Sequence, residues 1–485
     1  MMSGVGVTAR TLFGVACLLL ALAGCADSTP TVVAGRAMAM LYDPGRVGGL
    51  PVSEGPSGPR GDPPPVTSRV VNSDGGQIDR LSLLAIDDIE DFWTQHYGQS
   101  LSGHFTPVST LMSYSSTDPN GPPVCGGDVY HLPNAMYCRR MDTMAWDRAK
   151  FLPTARKYFG DMAINGTLAH EYGHALQHMA GIVHPFTRTL VREQQADCFA
   201  GVYLQWVAAG NSSRTQLSTA DGLNHVLAGL IVIRDPVSTS DNPISISDEH
   251  GTALDRVGAF QTGFDGGAEM CAKIDTGEIR KRRGNLPRSL FDSENPQSDL
   301  TIDAQVLSTL MEQLGQIFGL SRPPALATSG KCPSGHHPDP VAYCPETNTV
   351  VVDLAGLQDM SAPTDQSTLG MPQGDNTGLS AVTSRYALAV QAEREVGLES
   401  ATAALRTACL TGVAQRQMAE PMTLSSGPGL TLAGGDLDEA VTGLLMNGVV
   451  ASDVDDNTVP AGFTRILAFR SGLHGDIDGC FERFP

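Results

Sequence analysis

The sequence predicts a mostly helical α+β fold that occurs twice in tandem. Three observations carry that expectation. Eight cysteines form two sets with matching gaps: Cys125, Cys138, Cys198 and Cys271 are spaced 13, 60 and 73, while Cys332, Cys344, Cys409 and Cys480 are spaced 12, 65 and 71. Two long helical stretches, each stopped by a glycine (Gly181, Gly210), follow one another in the first set. Thr349–Asp353 is rich in β-branched residues and reads as a short strand, and Thr143–Asp147 sits at the same distance after its own tyrosine-cysteine pair.

The chain has 485 residues, with 32 basic and 52 acidic side chains and a net charge of −20. So acidic a chain is a poor binder of phosphate backbones, and nucleic acid is not expected as a partner. Ten cysteines point to an oxidising compartment. The N-terminus agrees. Arg10 precedes a 12-residue apolar run, Thr11–Leu22, which is too short to span a bilayer. Leu22-Ala23-Gly24-Cys25 resembles the lipobox of bacterial lipoproteins. That resemblance implies cleavage before Cys25, acylation of Cys25 and an extracytoplasmic, membrane-anchored protein; an ordinary secretory signal cut nearby is the alternative. Residues 26–66 hold 8 Pro and 7 Gly in 41 positions, so 26–78 is expected to be a flexible tether.

Beyond it, two homologous domains are expected at 79–290 and 296–485. The best match between them is Arg256–Gly263 against Arg465–Gly472, and in each the next cysteine falls 15 residues after the arginine. Eight cysteines allow roughly 105 pairings. The repeat favours the symmetric ones: Cys125–Cys138 with Cys332–Cys344, and Cys198–Cys271 with Cys409–Cys480.

His170-Glu171-Tyr172-Gly173-His174 is an HExxH motif. Asp161 is a plausible N-cap, and a helix from there to Gly181 puts His170 and His174 on one face, one turn apart, as two ligands of one zinc require. Glu171 stands beside them, placed to act on water. A catalytic zinc needs a third ligand. Glu193, 19 residues after His174, and Asp197 share a face of the next helix, Thr187–Ala209. This Glu-x-x-x-Asp pair resembles that of the gluzincins, the thermolysin-like metallopeptidases; the resemblance implies that Glu193 binds zinc and that Asp197 orients His170. A His ten residues after His170 is excluded, because that position is Ala180. His178 lies too far along the helix, and His184 remains open.

Cys125-Gly126-Gly127, Tyr137-Cys138, the HExxH, Glu193–Gly201, His250-Gly251-Thr252 and Arg256…Cys271 occur in an order similar to that of the bacterial putative neutral zinc metallopeptidase family. Arg139-Arg140 departs from the proline and acidic residue usual there. The resemblance implies a zincin-like, gluzincin-type domain with a small sheet at the cleft. It also implies one zinc per chain and hydrolysis of peptide or protein substrates with Glu171 as general base. The oxyanion needs a partner: His250 is expected, with Tyr172 the weaker choice.

In the second copy, Ser384, Arg385 and Leu388 fall opposite His170, Glu171 and His174. Ala404 and Ala408 stand opposite Glu193 and Asp197, and Val459 opposite His250. Every expected catalytic group is gone together, which reads as a pseudoenzyme domain. Two other readings fit the same residues: a non-catalytic cell-surface interaction lipoprotein with a structural or idle zinc, and a zinc amidase acting on cell-wall peptides.

Overall fold

The computed structural model describes residues 43–234, 249–284, 286–287, 290–291, 300–364 and 370–485, with the backbone of 32–33 and 36–37. The leader and Cys25 lie outside the described residues. Among those described, no helix is long and apolar enough to cross a membrane.

The fold is mixed, with long helices and small sheets. The first sheet has the order β1-β2-β4-β3, from Val70–Val71 (β1), Thr110–Tyr114 (β2), Ala135–Cys138 (β3) and Thr143–Asp147 (β4). β1, β2 and β4 run parallel, and β3 pairs antiparallel with β4 in the register Tyr137↔Met144. β4 is buried at every residue, as a strand covered on both faces should be. Between β1 and β2 runs α1 (Gln77–Ser100), whose apolar stripe packs on the sheet and the helices beyond. Its buried acids are all satisfied: Asp79 accepts from the Trp146 indole, and Asp88 from Tyr203, Ser212 and Thr215.

Four helices build the rest of the first half: α2 (Phe151–Phe159), α3 (Met162–Met179), α4 (Thr189–Ala208) and α5 (Asp221–Val232). α6 (Ala253–Gly266) crosses α4, and α7 (Ala268–Ala272) and α8 (Thr276–Arg283) follow. Asp161 precedes α3 as expected but does not cap it, because its carboxylate is taken by Arg156 at 2.5 Å. At the α4/α6 crossing a Cβ on Gly201 would fall on the Phe260 carbonyl, and one on Gly263 on the Cys198 carbonyl. Only glycine permits this backbone-to-backbone approach.

The same order recurs after residue 300. α9 (Ala304–Phe318) is followed by β5 (Ala325–Ala327), β6 (Val341–Cys344) and β7 (Thr349–Val352) in the order β5-β7-β6. α10 (Leu354–Met360), α11 (Asp375–Glu393), α12 (Ala401–Met418), α13 (Asp436–Met446), α14 (Gly462–His474) and α15 (Ile477–Arg483) complete it. Here Gly412 meets the Phe469 carbonyl and Gly472 the Cys409 carbonyl, the same crossing again. The four disulfides are Cys125–Cys138, Cys198–Cys271, Cys332–Cys344 and Cys409–Cys480. One apolar core runs through both halves, from Ile86 and Leu168 to Leu410 and Phe469.

The expected tether differs from the structure over its described part. Residues 43–66 are strapped to the body. Val47 is 1% exposed, Ser53 and Ser57 bond Thr219 and Ser218, and Gly58–Pro59 pairs with Thr215–Gln216. The Pro/Gly content makes this chain extended, and serine and threonine hydroxyls supply the partners its backbone needs. β1, too, falls inside the expected tether, because its two residues complete the sheet edge.

Candidate metal centre

α3 and α4 lie against each other and supply all three side chains of the candidate metal site. What sets their spacing is small: Gly173, inside the HExxH, faces Ala196, between Glu193 and Asp197. A Cβ on Gly173 would stand 2.7 Å from the Ala196 Cα. With the helices this close, one atom each of His170, His174 and Glu193 falls within 4.8 Å of the others. His178 and His184 are not in that group.

The hydrogen bonds fix which nitrogens face inward. His170 Nδ1 donates to Asp197 Oδ1 at 2.7 Å. His174 Nδ1 lies 3.2 Å from Gln177 Oε1, and the Gln177 amide is turned that way because its nitrogen donates to the Arg192 carbonyl. Both Nε2 lone pairs are thereby aimed at the Glu193 carboxylate, at 3.2 and 3.5 Å. Lone pairs and a carboxylate repel one another unless a proton or a metal cation lies between them. The edge of a tetrahedron with bonds of roughly 2.05 Å is about 3.3 Å, so the spacing suits zinc. Two imidazoles and a carboxylate are a fitting donor set for it.

The electrostatics agree. Burial opposes charge on the imidazoles, yet Asp197 and Glu193 push His170 up to about 10 and raise His174 as well. Burial likewise opposes ionisation of Glu193 and Asp197. The histidines and, for Asp197, Arg256 hold both carboxyls below their usual range all the same. The site is built to hold positive charge.

Asp197 is itself held. Arg256 on α6 donates to its Oδ1 at 2.8 Å and to the Ile233 carbonyl at 3.0 Å. This role was missed in the sequence, where Arg256 served only as an anchor of the repeat. Its signal, an arginine retained as Arg465 in the second half, reads equally well as scaffold.

Glu171 faces the edge strand β3, whose Tyr137 N–H points at it. Burial raises its carboxyl above the ordinary range, against the pull of His170 and His174. An apolar recess adjoins His170, lined by Phe151, Phe159, Thr167, Val226, Leu230 and Ile233.

The structure overturns one alternative. Tyr172 is fully buried, and its hydroxyl donates to Glu90 at 2.9 Å while accepting from the Val108 N–H. Next to Glu171 on a helix, it necessarily points away from the metal ligands, so it cannot meet an oxyanion there. His250 is half-buried just before α6, and the next residue, Gly251, lies against Leu190 and Gln194 at the start of α4.

In the second half Arg385 is 1% exposed. Its guanidinium bonds Asp456 at 2.6 Å and the Val341 carbonyl on β6 at 3.1 Å. A cation thus fills the place that the sequence match gives to Glu171's equivalent.

Comparison with known proteins leads to the same chemistry. No solved structure matches the chain. The uncharacterized protein YpfJ of Escherichia coli strain K12 is 26% identical over 221 residues, 41% of this chain and 72% of that protein. YpfJ of Escherichia coli O6:H1 matches to the same extent. Residues 67–276, which hold the whole His170–His174–Glu193 centre, match the model of the putative neutral zinc metallopeptidase family.

Proposed function

We propose that this chain is an extracytoplasmic zinc metallopeptidase, anchored to the cell membrane through lipid on Cys25, with one zinc in the first half. The observation that carries the reading is the convergence of both imidazole Nε2 atoms on Glu193, with both Nδ1 atoms engaged by Asp197 and Gln177. His170, His174 and Glu193 would hold the metal. Zinc in such a site supplies Lewis acidity that activates water and polarises the scissile carbonyl.

The rest belongs to the chain. Glu171, its carboxyl raised by burial, takes the proton of the attacking water and delivers it to the leaving amine. Asp197 and Arg256 keep His170 in one tautomer. The free edge of β3 offers backbone groups to an extended peptide laid beside Glu171. His250 is the group assigned to the oxyanion. The second half, which resembles the first in element order and disulfides, is a domain of common origin that lacks the His-His-Glu centre among its described residues.

The test is metal analysis with peptide hydrolysis. Zinc near one per chain, lost in His170→Ala and kept in Glu171→Gln with hydrolysis abolished, supports the reading. A protein that binds no zinc, or a Glu171→Gln variant as active as the parent, would refute it.

A further inference from the structure

The two halves reach into each other's helix starts. Asn224 on α5 of the first half accepts at 2.8 Å from the N–H of Gly462, the first residue of α14. It also donates to the Pro460 carbonyl at 3.2 Å. In return Asp438 on α13 of the second half reaches the first turn of α6. Its Oδ1 accepts from the Leu254 N–H at 3.4 Å, and the Ala253 N–H points at it too. Its Oδ2 lies 3.6 Å from the Arg234 Nε, just beyond the end of α5. Asp438 is 5% exposed, so these contacts are made out of water, where a carboxylate needs them.

The two exchanges differ in what they support. α14 carries no metal-site residue. α6 carries Arg256, and a carboxylate at a helix N-terminus steadies that helix. The path is then short. Thr252 and Asp255 cap α6 with a reciprocal capping box, and Asp438 adds a carboxylate beside that first turn, 3.6 Å from Arg234. Arg256, one turn into α6, bonds the carbonyl of Ile233, the residue before Arg234, and the carboxylate of Asp197. Asp197 bonds His170 Nδ1. Among the described residues Arg256 Nε and Asp197 Oδ2 are buried without a hydrogen-bond partner, so the join between them rests on one guanidinium nitrogen and one carboxylate oxygen. A small tilt of α6 breaks it.

We propose that Asp438 is a positioning residue for the metal centre, and that the second half sets the zinc affinity of the first through α6. This rests on the zinc reading above. The second half thereby holds part of the second layer of groups around the His170–His174–Glu193 site and is a working part of the centre.

The experiment is chelator competition for zinc on the full chain, together with the visible spectrum of the cobalt-substituted protein and a thermal melt. Asp438→Ala is expected to weaken zinc binding roughly 10-fold, the low end for loss of an outer group around a metal. Asp438→Asn, which keeps an acceptor oxygen, should weaken it less, and both should shift the cobalt bands. Arg256→Gln, nearer the metal, should weaken binding at least as much as Asp438→Ala. Asn224→Ala removes the reciprocal contact. It should lower the melting temperature while leaving zinc affinity and the cobalt spectrum unchanged. Should Asp438→Ala not fold, Asp438→Asn carries the comparison. The proposal is overturned if the Asp438 variants bind zinc as tightly as the parent, or if Asn224→Ala weakens binding equally. Failure of the parent itself to take up zinc would instead refute the proposed function.

Discussion

Gly173→Ala should weaken zinc binding by the addition of one methyl group. The added Cβ would lie 2.7 Å from the Ala196 Cα and 3.1 Å from its Cβ, both on the facing helix. Carbon atoms rest at roughly 3.5–4.0 Å, so α3 and α4 must part by about 1 Å. Neither contact is the flexible end of a side chain that could turn aside. The histidines ride on α3 and Glu193 on α4, so the whole displacement opens across the ligand set. Overpacking of this kind costs stability of about 1–3 kcal/mol. Zinc affinity should fall by roughly 10–100-fold, as when a supporting group of a metal site is lost. Chelator competition measures it. Gly166→Ala on the same helix is the control, since its Cβ would meet only the Val226 Cγ1, at 3.6 Å. If Gly173→Ala bound zinc as tightly as Gly166→Ala, helix spacing would not be what assembles the centre.

Three further outcomes are expected. Burial pushes the Glu90 carboxyl up to about 7 from 4.5, helped by Asp87 and Asp91 and resisted by the Tyr172 hydroxyl. A raised folded-state value means stability present at low pH and lost as pH rises through 7. Glu90→Gln should therefore be the more stable form at pH 8 by up to about 3 kcal/mol, and level with the parent near pH 4; urea melts with parallel pH profiles would disprove this. His250→Ala should lower kcat by roughly 10²–10³ with zinc content intact, if it serves the oxyanion; an unchanged kcat removes it from the mechanism. Replacing Cys198 and Cys271 by alanine together should destabilise the first half by about 2–5 kcal/mol, read as a lower denaturation midpoint.

Much of the centre was legible because its logic is local. The i, i+4 spacing puts His170 and His174 on one face of any helix, and Glu193 with Asp197 likewise on the next. The strands at Thr143 and Thr349 and the helix stops at Gly181 and Gly210 follow from residue chemistry at single positions. What stayed hidden depends on where helices cross. Arg256 lies 59 residues from Asp197, and Gln177 meets His174 only because the Arg192 carbonyl turns its amide. Tyr172 was ambiguous until α1 placed Glu90 behind it. Proline and glycine in residues 43–66 signalled the absence of helix, which composition alone does not distinguish from a bound, extended strap.

The second half has Ala387 where the first has Gly173, and Thr407 where the first has Ala196. On the proposed common origin, the larger pair stands where the second half has no His-His-Glu set among its described residues.

The strap carries a consequence for how the chain is made. The Arg46 carbonyl accepts from the Thr464 hydroxyl, 418 residues away, and Gly48 sits against Phe264. Its seat therefore combines α6 with α14, and Thr464 on α14 lies 418 residues further along the chain than Arg46. Arg46 and its neighbours cannot settle fully until α14 has been made. Closing so long a loop is slow. The strap then becomes a report on completion: a chain shortened before Gly462 should leave Arg46–Pro51 open to protease, while the full chain protects it.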